Sequence, residues 1–213
     1  MHWVYYFGRV VIRLLMFIFA NWKVKDRENI PKDKPVLIVC NHVHIADPPI
    51  LAASIPLKCK FMAKEDLWQN KWTRFWVVNF GAFPVKRGVI DTEAIRNAER
   101  ALGEGFSVIM FPEGGRSPGG QMQQAMPGAA LIAARMNAPL LPVSITGTEK
   151  LRNLKWSFFH HPRITITIGK PFELPPHNGK TGREHRREMA DYIMEKIAEL
   201  LPPEYRGVYG TKN

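Results

Sequence analysis

Apolar residues in this chain come largely in short, dense runs. Val36-Leu37-Ile38-Val39-Cys40 follows Pro35, Phe106 to Phe111 follows Gly105, and Leu140 to Ile145 follows Pro139. Runs of this length, rich in β-branched residues and bounded by breakers, predict buried strands. Lys60 to Ala63 reads as another strand, and Gly81 to Gly88 as a strand closing in a turn. Arg163 to Ile168 alternates isoleucine with threonine, as a half-exposed strand does. Helical stretches fall between them, at Pro49 to Ile55 and Gly128 to Asn137. Asp91 can cap a further helix running to about Leu102, which Gly103 and Gly105 end. Thr181-Gly182-Arg183-Glu184 is a capping-box pattern, and the helix it opens carries Met189, Ile193, Ile197 and Leu200 on one side. Strands alternating with helices predict an α/β fold, a single domain with a largely parallel sheet flanked by helices.

Two stretches depart from this pattern. Residues 1–22 are apolar and aromatic, with Arg9 and Arg13 one helical turn apart on a shared face. Trp3, Tyr5, Tyr6 and Trp22 are of the types that favour a membrane interface. A narrow basic stripe beside a broad apolar face predicts an amphipathic helix lying in a membrane surface. From Trp3 to Trp22 such a helix would measure roughly 28 Å against a hydrocarbon core of about 30 Å, so spanning stays open. The segment has a poor signal-peptide cleavage pattern. Lys23, Lys25 and Arg27 follow it, a positive flank that argues for a cytoplasmic domain over residues 23–213. In the second stretch, Trp68, Trp72, Phe75 and Trp76 recur at helical spacing. A stripe of this kind usually belongs to a core; its other reading is a wall facing lipid or an acyl chain.

Composition narrows the partners. A formal net charge of +11 favours polyanions such as nucleic acid, an anionic membrane surface or phosphorylated substrates. The cations concentrate at strand ends and termini rather than on one face, which argues against a nucleic-acid module. Two cysteines, Cys40 and Cys59, make no disulfide framework, and Cys40 sits inside an apolar run, so the expected setting is reducing.

Candidate chemistry clusters where strands end. Asn41-His42-Val43-His44-Ile45-Ala46-Asp47-Pro48 follows the Val36–Cys40 run directly. His42 and Asp47 would lie about 140° apart on a helix, so a turn must bring them together, and Pro48 suits the start of a helix just beyond. A histidine oriented by a carboxylate can act as a general base near neutral pH. A second loop, Pro112-Glu113-Gly114-Gly115-Arg116-Ser117-Pro118-Gly119-Gly120, follows the Phe106–Phe111 run. Its glycines let backbone N–H groups approach an anion, and Arg116 can hold a phosphate bidentately.

Two short motifs mislead. Gly115-Arg116-Ser117-Pro118-Gly119 matches G-x-S-x-G, but five residues separate Phe111 from Ser117 and Pro118-Gly119-Gly120 opens a helix poorly, against a serine esterase built on Ser117. Gly179-Lys180-Thr181 resembles the end of a P-loop, yet the first glycine's place holds Leu174. No cysteine and histidine set has zinc spacing.

Four blocks stand in one order: Asn41-His42-x4-Asp47, Gly81 to Arg87, Phe111-Pro112-Glu113-Gly114-Gly115-Arg116-Ser117, and Leu141-Pro142-Val143. Together they resemble the glycerolipid (lysophospholipid and glycerol-phosphate) acyltransferase family, most closely its bacterial branch acting on 1-acylglycerol 3-phosphate, over residues 20 to 170. The resemblance implies an acyltransferase domain over residues 23–213 behind the membrane-interface helix of 1–22. It implies that His42 takes a proton from an acceptor hydroxyl and that Asp47 holds its imidazole. Arg87, Glu113, Gly114 and Arg116 would bind the glycerol-phosphate part, Lys64 a phosphate or the oxyanion, and Pro142 would serve acyl-donor binding. The donor would be acyl-CoA or acyl carrier protein and the acceptor a lysophospholipid at a membrane lipid surface. Neither a metal nor a further cofactor is implied, and the intact His-Asp pair speaks against a catalytically silent relative. Two positions depart from the family pattern: Gly115 stands where threonine is usual, and Met126 where a lysine often precedes Pro-Gly or Gly. One cation of the phosphate site is thereby missing, which points to another lysolipid or a phosphoglycolipid as the alternative acceptor.

Overall fold

The computed structural model describes residues 3–86, 88–151, 153–175 and 182–210. The chain runs α1 (Trp3–Phe19), β1 (Asn21–Lys25), β2 (Leu37–Cys40), α2 (Asp47–Ser54), β3 (Cys59–Lys64), α3 (Lys71–Asn79), β4 (Ala82–Val85), α4 (Thr92–Gly103), β5 (Ser107–Met110), α5 (Gly128–Met136), β6 (Leu140–Thr146), α6 (Leu154–His160), β7 (Arg163–Ile168) and α7 (Arg183–Ala198). The strands form one sheet in the order β1-β7-β6-β2-β5-β3-β4. Strands β2 to β6 are mutually parallel; β7 runs antiparallel to β6 and carries β1 parallel to itself at the edge. The chain is thus an α/β domain with a mostly parallel sheet, as its pattern predicts.

Central β2 shows why its sequence is unbroken. All four of its residues are buried, and their side chains alternate between two cores. Ile38 and Cys40 join the cluster under α1 and α2, with Tyr5, Met16, Leu51, Ile109 and Ile145. Leu37 and Val39 join the cluster under α4, α5 and α7, with Ile132, Ile193 and Ile197. A strand covered on both faces has no wet side to mark with polar residues. Edge strand β1 is the opposite case: its burial alternates, and Asn21, Lys23 and Lys25 face water. Lysines on an edge strand discourage pairing with another chain. Of the positive flank expected after residue 22, Lys23 and Lys25 are therefore part of the sheet.

Helix starts mostly follow local chemistry. Asp91 caps α4 through bonds from the Glu93 and Ala94 N–H groups. Gly182 occupies the N-cap position of α7, and Thr181, the expected capping residue, lies outside the described residues.

In helix α1, Arg9 is half-buried and Arg13 exposed, and both side chains are engaged within the protein. Arg9 donates through Nη2 to the Ile55 carbonyl at 2.6 Å, and Arg13 through Nε to the Ala53 carbonyl at 2.7 Å. The two cations satisfy carbonyls at the C-terminal end of α2, where the helix dipole also favours positive charge. Tyr5 is buried beneath, its hydroxyl accepting from the Cys59 N–H at 3.1 Å, and burial pushes its pKa up to about 12. Beside Arg13, α1 leaves a broad apolar face outside: Trp3, Phe7, Val10, Leu14 and Phe17 are exposed. Among the described residues, no helix is long and apolar enough to cross a membrane.

The aromatic stripe is not core either. Trp72 is 79% exposed, and Phe75 and Trp76 are exposed beside it on α3. Helix α1 reaches the end of α3 where Tyr5 packs on Phe80, the residue after that helix, at 5.6 Å between ring centroids, and meets α6 where Phe19 packs on Phe158 at 6.0 Å. Phe158 and Phe159 of α6 are exposed too. The exposed aromatics therefore follow one line of adjoining helices, α3, α1 and α6.

Candidate active site

Five parallel strands end on one edge of the sheet, and the polar residues of the sequence blocks collect there. His42 follows β2, Lys64 ends β3, Lys86 follows β4, Phe111 to Arg116 follow β5, and Thr148 follows β6. Ligand sites of open α/β sheets form outside the carboxyl ends of strands.

Asn41 sets the geometry at the end of β2. Its buried amide donates to the Ile145 carbonyl and accepts from the Ile145 N–H, both at 2.8 Å, so a side chain extends the ladder toward β6. The chain then turns into α2, with Asp47 as the first helical residue and Pro48 and Pro49 behind it. The turn brings His42 Nδ1 to 2.9 Å from Asp47 Oδ2. The same oxygen accepts the Val43 and His44 N–H groups at 2.8 and 2.7 Å. The other oxygen, Oδ1, accepts the Thr148 hydroxyl at 2.7 Å. Asp47 is completely buried and sits at a helix N-terminus, where backbone N–H groups and the dipole favour a carboxylate. An acceptor on both oxygens fixes the tautomer of His42: Nδ1 carries the proton and Nε2 keeps its lone pair. No described residue bonds Nε2, while the imidazole stacks on Phe111 at 4.2 Å and lines a groove.

Thr148 is a site residue that sequence reading missed. It lies 101 positions from Asp47, in a turn of 3-10 helix, and is fully buried. Thr148→Val removes the hydroxyl at nearly constant volume and strands Asp47 Oδ1, whereas Thr148→Ser retains the donor. We expect valine to lower kcat about tenfold, the effect of one lost hydrogen bond to a charged group, and serine to restore most of it.

Glu113 turns away from the groove, contrary to its expected contact with the acceptor. Its Oε1 accepts the His42 N–H at 2.9 Å; its Oε2 accepts the Gln123 N–H at 2.8 Å and the Ser117 hydroxyl. The Ser117 N–H in turn donates to the His42 carbonyl at 2.7 Å. Both polar atoms of the His42 backbone are thus held by the glycine-rich loop. Burial raises the Glu113 pKa above the usual carboxylate range, against the pull of these donors. Ser117 is buried and its hydroxyl donates to Glu113, so the esterase reading finds no exposed serine at this loop.

Gly114 and Arg116 do line the groove. Gly114 has φ 69°, where a side chain is strained, and an added Cβ would lie 3.0 Å from Met126 Cγ. Arg116 is exposed and has no protein partner among the described residues. Lys64 also lines the groove, its ammonium paired with Asp66. Lys86, next to Arg87 in the Gly81-to-Arg87 block, lines it as well. Arg87 lies outside the described residues. Pro142 does not reach the groove: it is buried within β6 opposite Val39, and its carbonyl accepts the Gly169 N–H at 2.8 Å, so it supports the sheet.

The groove has a volume of about 780 Å³ and is mostly apolar. Phe7, Gly8, Val11 and Ile12 of α1 line it, as do Trp76 and Val77 of α3 and Phe80 just beyond that helix. Val89, Ile90, Ala94 and Ile95 line it too, and His42, Lys64, Lys86 and Arg116 stand among the lining residues. A base with a free nitrogen, an apolar cleft and adjacent cations are what a transfer between an acyl thioester and a charged alcohol needs.

Comparison with known proteins agrees with that chemistry. A family model described as Acyltransferase matches residues 21–146, and the chain belongs to that family. The chain is 28% identical to the 1-acyl-sn-glycerol-3-phosphate acyltransferase of Bacillus subtilis, over 92% of this chain and 96% of that one. It is 29% identical to the enzyme of the same name from Streptococcus pneumoniae, over 94% and 71%. Among solved structures, the 1-acyl-sn-glycerophosphate (LPA) acyltransferase PlsC from Thermotoga maritima matches with a TM-score of 0.67 at 27% identity, covering 91% of this chain and 77% of that one.

Proposed function

We propose that this acyltransferase moves a fatty acyl group from acyl-CoA or acyl carrier protein to the free hydroxyl of 1-acyl-sn-glycerol 3-phosphate, giving phosphatidic acid and a free thiol. The observation that carries this reading is His42, with Nδ1 held by Asp47 and Nε2 unbonded, beside an apolar groove that Arg116 also lines. Nε2 takes the hydroxyl proton, and the acceptor oxygen bonds to the thioester carbonyl carbon. The C–S bond then breaks, and the thiolate leaves with the proton returned by the imidazolium. The groove holds acyl chain, and Arg116 with Lys86 and Lys64 holds the phosphate. Positioning the hydroxyl against the base supplies part of the rate. The relatives named for 1-acyl-sn-glycerol-3-phosphate support the acceptor.

Met126 favours a second acceptor class. Its thioether chain packs over Gly114 and lines the groove where the family pattern often has a lysine. A site with one cation fewer suits another lysolipid or a phosphoglycolipid, whose charge is less compact. Arg116→Lys tests whether Arg116 reads the acceptor's phosphate, since lysine keeps the charge and loses the planar fork. With lysophosphatidate as acceptor, KM is expected to rise about tenfold, as when a bidentate contact is lost, with donor hydrolysis by water little changed. Equal losses for phosphate-bearing and phosphate-free acceptors would show that Arg116 does not read the phosphate.

The membrane reading rests on the exposed face of α1 together with Trp72 of α3 and Phe159 of α6. This apolar line supports a peripheral position on a bilayer, and the basic flank supports its cytoplasmic side. Removing α1 altogether would take Tyr5 and Met16 out of the core that Leu51, Ile55 and Phe80 share with them and would free the Ile55 and Ala53 carbonyls, so point changes are the sharper test. Leu14→Glu with Phe17→Glu is expected to release most of the protein from sedimenting liposomes while its melting temperature holds. Undiminished sedimentation contradicts membrane contact through this face.

A further inference from the structure

Beyond the last helix, residues 203–210 cross the glycine-rich loop as a strap of two 3-10 turns. Met122 is held by it on both sides: its N–H donates to the Tyr205 carbonyl at 2.9 Å, and its carbonyl accepts the Val208 N–H at 3.3 Å. The Tyr209 hydroxyl accepts the Ala125 N–H at 3.0 Å and donates to Asp191 of α7 at 2.6 Å. The neighbouring residues face the other way. The Gln123 N–H donates to Glu113, and the Met126 N–H to the Pro112 carbonyl at 2.7 Å. Residues 122–126 therefore act as a brace, bonded alternately to the strap and to the loop that carries Glu113 and Arg116. Glu113 passes the connection on to the His42 N–H.

The strap also reaches the other half of the catalytic pair. Tyr205 donates its hydroxyl to Glu149 at 2.6 Å, and Glu149 follows Thr148, the residue that holds Asp47. Burial and the adjoining carboxylates raise the pKa of both phenols, so both remain hydrogen-bond donors at neutral pH. Gly207 fits the contact closely: its φ is 49°, and a Cβ there would stand 2.1 Å from the Met122 carbonyl oxygen.

We propose that the strap is a positioning element of the active site, with Tyr205 and Tyr209 as positioning residues that fasten the loop behind His42 to the turn behind Asp47. The inference rests on acyl transfer at His42. Its consequence is that the distance between imidazole and carboxylate, and the placement of Arg116, depend on a segment that touches neither.

Tyr205→Phe combined with Tyr209→Phe tests this, because phenylalanine keeps the packed rings and removes only the hydroxyls. Residue-resolved amide exchange by NMR reads the grip without turnover. The Ala125, Gln123 and His42 amides are expected to exchange about tenfold faster, the size of one lost hydrogen bond, with β7 amides unchanged. In steady-state kinetics kcat is expected to fall about tenfold and acceptor KM to rise, with donor KM within about twofold of wild type. Gly207→Ala, which pushes strap from brace, is expected to shift both readouts in the same direction. A double variant that melts lower but keeps wild-type exchange at His42 and wild-type kcat would overturn the proposal, leaving the strap a cover for the core. A wild-type chain that transfers no acyl group would instead contradict the functional reading, and exchange alone would then decide whether the strap holds the loop.

Discussion

Replacing His42 by alanine is expected to lower kcat by about 10²–10⁴, the range for losing a general base, while the protein stays folded. The fold should survive because Asp47 does not depend on the imidazole. Without it, Oδ2 still accepts the Val43 and His44 N–H groups and Oδ1 still accepts Thr148. The backbone bonds of residue 42 to Glu113 and Ser117 need no side chain. Thiol release with an acyl donor and saturating acceptor, normalised to folded protein, measures the effect. A variant retaining more than half the wild-type rate removes His42 from the mechanism.

Asp47→Asn is expected to have a comparable effect for a different reason. The amide can keep its oxygen on the Val43, His44 and His42 donors and present its NH2 group to Thr148, whose hydroxyl accepts as readily as it donates. Geometry is then conserved and only the negative charge is lost. That charge stabilises the imidazolium formed when Nε2 takes the proton. In a serine-protease triad the same change costs about 10⁴ in kcat, and a fall of about 10²–10⁴ is expected here, with melting temperature and acceptor KM little altered. A kcat within about threefold of wild type, against that expected range, would mean that Asp47 orients the histidine without taking part electrostatically.

Much of this site could be read from the chain because its signals are local. The run at Val36–Cys40 is unbroken because β2 is covered on both faces, and a parallel strand of that kind must end at the ligand edge. His42 and Asp47 are five residues apart, so one turn and one helix start determine their meeting. Long-range partners left no such mark. Thr148 follows a glycine in a polar turn and looks like any loop threonine until β6 places it against Asp47. Glu113 carries a charge that suggests ligand contact, and only the fold shows three protein donors around it. Arg9 and Arg13 share a helical face in the sequence, which cannot say whether that face meets phosphates or the carbonyls of α2. Strand β1 escaped because Trp22 and Val24 are its only buried-side residues, and its lysines read as a flank. The stripe at Trp72 and Trp76 has core spacing, but its burial depends on whether anything lies above α3.

The account stands most directly on the acceptor dependence of thiol release. The wild-type protein is given acyl-CoA and vesicles containing lysophosphatidate, the matching monoacylglycerol, or neither, while free thiol and lipid product are quantified together. Thiol release that requires lysophosphatidate, with one phosphatidate formed per thiol, is the expected result. Thiol released at the same rate without acceptor, or with monoacylglycerol as good a substrate as lysophosphatidate, would contradict it.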